Sequence, residues 1–316
     1  MKKVVHILKQ FATLFVCTLL LLSCTKDDSM VCLKEVRVYF SFSEEVDKAT
    51  QVDRMHLYLF DRNKRFVKEY IDDNILNFGT DYYISCKDIR AGSYRFIAWG
   101  GSDERDYTTT PNEFVKGQTT FDEALLSLNH TGGVVATQPH PLFHSSIQAN
   151  VLINEKIQLF YMPLTQLTNT INITTVGLPT DANSYRFEIA DNNCSYKFDK
   201  AFASHNHGIF TYKAACSKDG SGQLHSSLRV MRLAADRYTP QLQIVNAADG
   251  AILYPFGTQS GDLIGLILKA LPQNNFETTH TYDIVLTFTG DSSTGFDVAI
   301  TVNGWKVIDE PNDLVE

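Results

Sequence analysis

Apolar and polar residues alternate with a period of two along most of this chain. In EVRVYFSF, Val36, Val38, Phe40 and Phe42 share one face, and in RMHLYLFD, Met55, Leu57 and Leu59 oppose His56, Tyr58 and Phe60. Such alternation predicts strands that turn one face inward. The polar run DRNK, Asp61 to Lys64, predicts a turn into RFVKEYI, and so a hairpin of an antiparallel sheet. DYYISCK and AGSYRFIAWGG continue the series, with Ala91 and Gly92 as a turn and Gly100 and Gly101 as a stop. Ser102 to Phe114 is polar and irregular, and FDEALLSLN predicts at most a short helix.

A second series opens near Lys156 with KIQLFYMPL and continues through NTINITTVGL, SYRFEIAD, GIFTYKAAC, SLRVMRLA and QLQIVNAADGAILYPF. Asp249 and Gly250 between apolar runs predict a hairpin. In DLIGLILKAL the apolar residues Leu263, Ile264, Ile267, Leu268 and Leu271 fall at helical spacing before Pro272. Two long strands, HTYDIVLTFTG and GFDVAITVNGWKVID, finish the chain around turn residues Gly290 to Gly295. The expectation is an all-β chain of two tandem antiparallel β-sandwiches with one or two short helices, divided as 33–155 and 156–316.

The first residues break this pattern. Lys2, Lys3 and Lys9 precede an apolar run from Phe11 to Leu22, followed by Ser23 and Cys24. A basic start, a short apolar run and small residues are the layout of an export signal, and the run falls short of the roughly 20 residues a spanning helix needs. Leu-Leu-Ser-Cys resembles the bacterial lipobox, in which the Cys becomes the first mature residue and carries the acyl chains. Residues 1–23 are then a signal peptide, Cys24 is the lipidation site, and 24–32 form a polar tether. A single acyl chain binds a bilayer only marginally, so an anchor of this kind takes more than one.

The signal carries three of the 28 basic residues and no acid, which leaves 25 basic against 36 acidic side chains and a mature net charge of −11. That balance argues against nucleic acid and against adhesion to an anionic lipid surface. Of the six cysteines, Cys32, Cys86, Cys194 and Cys216 remain after Cys17 and Cys24 are accounted for. Two disulfides, Cys32 with Cys86 and Cys194 with Cys216, and four independent thiols are equally compatible with the spacing.

Enzymatic motifs are missing: the sequence has no G-x-S-x-G, H-E-x-x-H, P-loop or G-x-G-x-x-G. GDSS, Gly290 to Ser293, reads as a hairpin turn rather than a nucleophile motif. His140, His144, His205 and His207 read as exposed loop histidines without a ligand partner, and DNNCSYKFD, Asp191 to Asp199, lacks the order of a calcium loop. No metal, cofactor or catalytic residue is expected. Trp99 and Trp305 each close a strand beside glycine, as core plugs or, alternatively, as aromatic contacts for a sugar.

The lipobox ending in Cys24, the early Cys32, the strands VRVYFSF and VDRMHLYLFD, then AGSYRFIAWGG and the terminal ITVNGW together resemble the FimB-like family of fimbrial anchor proteins of Bacteroidetes. The likeness is good over the first hundred mature residues and loose beyond. It implies two transthyretin-like sandwiches and assembly with pilin subunits by donor-strand exchange, in which one subunit's strand completes a neighbour's sheet. Stalk pilins of this kind lose their first strand by cleavage after an Arg, whereas Arg37 lies inside a strand, which favours an anchor. Phe296, Val298, Ile300 and Val302 in the terminal segment mark either a strand to be exchanged or a permanent edge strand. Lys26-Asp27-Asp28 resembles the signal for display on the outer face of the outer membrane, and Asp28-Ser29-Met30 resembles an O-glycosylation site at Ser29. The functional expectation is a lipid-anchored fimbrial base subunit, with a surface carbohydrate-binding lipoprotein or tip adhesin as the alternative.

Overall fold

The computed structural model describes residues 35–43, 52–152, 157–178, 184–203, 208–235, 240–291 and 295–307. The alternating segments form strands. In the first half these are β1 (Glu35–Phe42), β2 (Met55–Asp61), β3 (Phe66–Asp72), β4 (Tyr83–Cys86), β5 (Gly92–Gly100), β6 (Tyr107–Thr110), β7 (Leu125–Leu128), β8 (Val134–Val135) and β9 (Phe143–Val151). They continue as β10 (Ile157–Gln166), β11 (Thr168–Val176), β12 (Tyr185–Asp191), β13 (Ser195–Lys197), β14 (Phe210–Ala215), β15 (Ser217–Lys218) and β16 (Leu224–Met231). The last are β17 (Gln241–Asn246), β18 (Ile252–Tyr254), β19 (Thr281–Asp291), β20 (Gly295–Val302) and β21 (Trp305–Lys306). One helix, α1 (Leu263–Ala270), lies among the described residues, and none there is long and apolar enough to cross a membrane. The all-β expectation holds.

Local chemistry sets the turns and caps. Asp61 Oδ1 accepts from the backbone N–H groups of Asn63 and Arg65, which closes the DRNK turn between β2 and β3. Asp249 and Gly250 turn β17 into β18, and the Asp262 side chain caps α1 by accepting from Gly265 N.

A seven-stranded assembly runs β3-β2-β5-β9-β10-β1-β4. Its two halves face each other across one core, in which Val36, Val38 and Phe40 meet Met55, Leu57, Leu59, Phe96 and Ala98. The second sandwich packs a six-stranded sheet, β15-β16-β11-β19-β20-β21, against a five-stranded one, β18-β17-β12-β14-β8. A small sheet, β6-β7-β13, lies between the halves.

Several segments depart from the sequence reading. FDEALLSLN supplies strand β7, with Leu126 and Leu128 buried on one face, because β6 and β13 flank it on both sides. Ile157–Gln166, read as the head of the second series, pairs in parallel with β1 along its first eight residues and so belongs to the first sheet. β2 and β5 are buried on both faces: Leu57, Leu59 and Phe96 enter the first core, while Tyr58, Phe60, Ile97 and Trp99 enter the second. The residues opposite the predicted inner face are therefore not solvent-facing.

Candidate assembly surfaces

The terminal segment folds back on its own molecule. β20 pairs with β19 along eight residues, from Gly295 opposite Asp291 to Val302 opposite Ile284. Phe296, Ile300 and Val302 are buried and half-buried Val298 packs on the same core, so all four candidate exchange residues fill this chain's second sandwich. The outer edge of β20 is partly occupied: Gln259 Nε2 donates to Phe296 O at 3.1 Å, Val307 N donates to Ile300 O at 2.9 Å, and β21 pairs with Thr301 and Val302.

The two tryptophans part company. Trp99 is fully buried, its ring centroid 4.6 Å from that of His144 and 5.8 Å from that of Phe198, with Tyr196 stacked beyond at 6.4 Å. It offers no face to a sugar, since the small central sheet and its neighbours cover the β2–β5 surface from which it projects. Trp305, on β21, is 66% exposed.

His144 likewise departs from the exposed-loop reading. It lies on β9, buried beside Trp99, and its Nε2 bonds Phe198 O at 2.9 Å. Burial lowers its pKa to about 4. His140 is held by Asp106, whose Oδ2 accepts from both the backbone N–H and the ring of His140. No group of three or more His, Cys, Asp or Glu side chains able to hold a metal occurs among the described residues. His205, His207, Cys24, Ser29 and Cys32 lie outside them.

Cys86 and Cys194 are buried free thiols. Burial pushes Cys86 up to about 12 and raises Cys194 as well. Cys194 contacts Ser195 Oγ at 3.6 Å, and Cys216 Sγ donates to Tyr185 O at 3.8 Å, so the pairing of Cys194 with Cys216 is not formed.

A surface that the sequence reading passed over lies on the outer face of β10, β1 and β4. Tyr39 stacks on Tyr161 at 5.4 Å between ring centroids and lies 5.1 Å from Tyr83, over whose ring the Arg37 guanidinium sits at 4.9 Å. Ile157 and Leu159 continue this face, exposed by 43% and 47%, and Tyr161 is 66% exposed. The signal was present in KIQLFYMPL, where odd-numbered apolar residues alternate with a second, mostly apolar set and a proline follows; in β10 only the second set enters a core.

A family model for fimbrillin-A associated anchor proteins Mfa1 and Mfa2 matches residues 28–311. No curated protein matches the chain. Among solved structures, the fimbrial anchor protein Mfa2 from Porphyromonas gingivalis is similar at 20% identity and a TM-score of 0.71, covering 88% of this chain and 100% of that one. A candidate polysaccharide-binding protein from Bacteroides thetaiotaomicron is similar at 21% identity and a TM-score of 0.72, covering 88% and 99%. A candidate adhesin from Bacteroides ovatus reaches the same identity and TM-score over 86% and 94%. At these identities the structures share the fold.

Proposed function

This chain belongs to the family of fimbrillin-A associated anchor proteins, and from that premise we propose that it is the lipid-held base subunit of a fimbrium. The observation that carries the reading is the family match over residues 28–311, which opens four residues beyond Cys24. The lipobox cysteine thus stands directly before the fimbrial module, with residues 25–32 as its polar tether. Acyl chains on Cys24 hold the protein to the outer membrane, the outward signal Lys26-Asp27-Asp28 directs it to the cell surface, and Ser29 is its candidate glycosylation site. Fimbrial subunits are the partners, joined by β-strand complementation. β20 is a resident strand of the free subunit; lending it would empty four positions of its own core.

Cell fractionation of the Cys24→Ala variant tests the anchor. The variant leaves the membrane fraction and fimbriae are shed into the medium; a variant that stays membrane-bound overturns the reading. A surface carbohydrate-binding or tip-adhesin role is the second reading, and its support is the exposed ring of Trp305.

A further inference from the structure

We propose that the free edge of β10 is a docking edge for an extended strand of another fimbrial subunit. This rests on the reading of the chain as a fimbrial subunit, and it places the attachment on a strand that neither the first-strand nor the terminal-strand argument involves.

β10 is paired with β1 over Ile157 to Leu164 on one side. On its other side, among the described residues, Thr165 and Gln166 alone pair with a strand, β9. The Ser43 N–H and hydroxyl both donate to Leu164 O, at 2.9 and 2.8 Å, so the Leu164 carbonyl faces β1. Successive residues of a strand send their backbone groups to opposite sides. Gln158, Phe160 and Met162 therefore also face β1, whereas the N–H and C=O groups of Ile157, Leu159 and Tyr161 point away from it into the open side. Pro163 falls in the same outward set, where a strand tolerates the missing N–H.

Sheet edges of natural proteins are defended by charge, proline, shortness, bulges or cover. Among the described residues this one has Pro163 alone as such a device: Ile157–Gln166 is ten residues long and carries no charged side chain. The same three outward residues place their side chains on the exposed aromatic face, continuous with Tyr39 and Tyr83. A long uncharged edge beside an exposed apolar face is the surface of a binding site. It is also held rigid. Gln158 Nε2 donates to Asn150 O at 2.8 Å and Gln158 Oε1 accepts from Leu152 N at 3.1 Å, which ties β10 to β9 at one end. The Thr165 and Gln166 pairs tie them at the other.

Alternating outward donors and acceptors fit an extended backbone and nothing bulkier. The occupant is a strand whose apolar residues recur at every second position, so that they continue the Leu159 and Tyr161 surface. A second copy of this chain is the poorer fit, since each mature copy carries a net charge of −11 and like charges oppose association. β1 keeps both of its neighbours, β10 and β4, so docking here adds a strand without displacing one.

The test uses the full-length chain in its own cell envelope. Leu159→Pro removes an outward N–H without touching the β1 ladder, Leu159→Lys places a charge beside the edge, and Leu159→Thr keeps both the N–H and strand preference. Fimbrial subunits recovered with the immunoprecipitated protein are quantified, and light scattering of each purified variant reports its oligomeric state. Recovery falls at least tenfold for Leu159→Pro and Leu159→Lys and is mostly retained for Leu159→Thr, with membrane attachment and melting temperature preserved. If Leu159→Pro fails to fold, Leu159→Lys decides. Undiminished recovery with the folded edge variants overturns the proposal, as does a dimer that the edge variants abolish while recovery is unchanged. If the unmodified protein brings down no fimbrial subunit, the anchor reading itself fails and the docking edge falls with it.

Discussion

Asp191 and His144 are both buried, and burial moves each toward its neutral form. The Asp191 carboxyl is raised to about 6, mainly by desolvation and against the two backbone N–H groups of Asn192 and Asn193 that its Oδ1 accepts. An unfolded Asp gives up its proton near 3.9, so the folded state binds more protons between about pH 4 and 6, and this group's contribution to stability falls as pH rises through that window. His144 works the other way. Lowered to about 4 by desolvation, it binds fewer protons folded than unfolded up to about 6.5, and stability rises with pH. The two slopes oppose each other in the wild type. Asp191→Asn keeps an acceptor for both N–H groups and removes one slope, so its stability advantage over wild type grows by up to about 3 kcal/mol between pH 4 and pH 6. Urea midpoints at the two pH values check this; parallel profiles for variant and wild type would refute it. Sequence could not have shown either group, because Asp191 ends an ordinary strand and His144 sits in a histidine-rich run that reads as loop.

At the scale of elements, the close approach after β11 is the most demanding backbone position. Gly177 adopts φ +87°, and a Cβ there would sit 2.2 Å from Phe288 O. Gly177→Ala meets both a left-handed backbone penalty and a clash with main chain, and costs about 3 kcal/mol or more. Gly117 has a similar φ of +73° but open space, so Gly117→Ala costs about 1 kcal/mol. Thermal melts of the pair compare them directly; equal losses would mean that the contact with Phe288 relaxes freely. Most elements were legible from periodicity: the DRNK turn, the Asp249-Gly250 hairpin, α1 before Pro272, and the final hairpin of β19 and β20. β7 was not, since its four residues are too few to establish a period of two and its stability comes from partners on both sides. The placement of β10 was equally hidden, because a parallel partner more than a hundred residues away leaves no local trace.

At the scale of the molecule, β10 pairs with β1 and β9, so the ladders of the first sheet run past residue 155 to a junction at Gln166. β8 crosses from the first half to pair with β14, and β13 crosses back to pair with β7. Trp99 sits among these crossings, packed on Tyr196 and Phe198 from beyond the junction. Trp99→Ala removes a fully buried ring and costs about 3–5 kcal/mol. Its calorimetric trace splits into two transitions where the wild type gives one; a single transition lowered in temperature would mean that the halves remain coupled without it. That two cores share the β2–β5 sheet was invisible in the sequence, where Tyr58, Phe60 and Ile97 read as the opposite face of a one-sided sheet.

The parallel pairing of β1 with β10 carries a mechanical consequence. Under the proposed attachment through Cys24, a pull arrives from the N-terminal side of β1, a strand flanked on both sides, and acts along that strand's axis. Its eight residues against β10 are then strained together rather than peeled one bond at a time. A subunit held in that proposed way and dragged at its other end by flow would meet the load with the whole length of a strand.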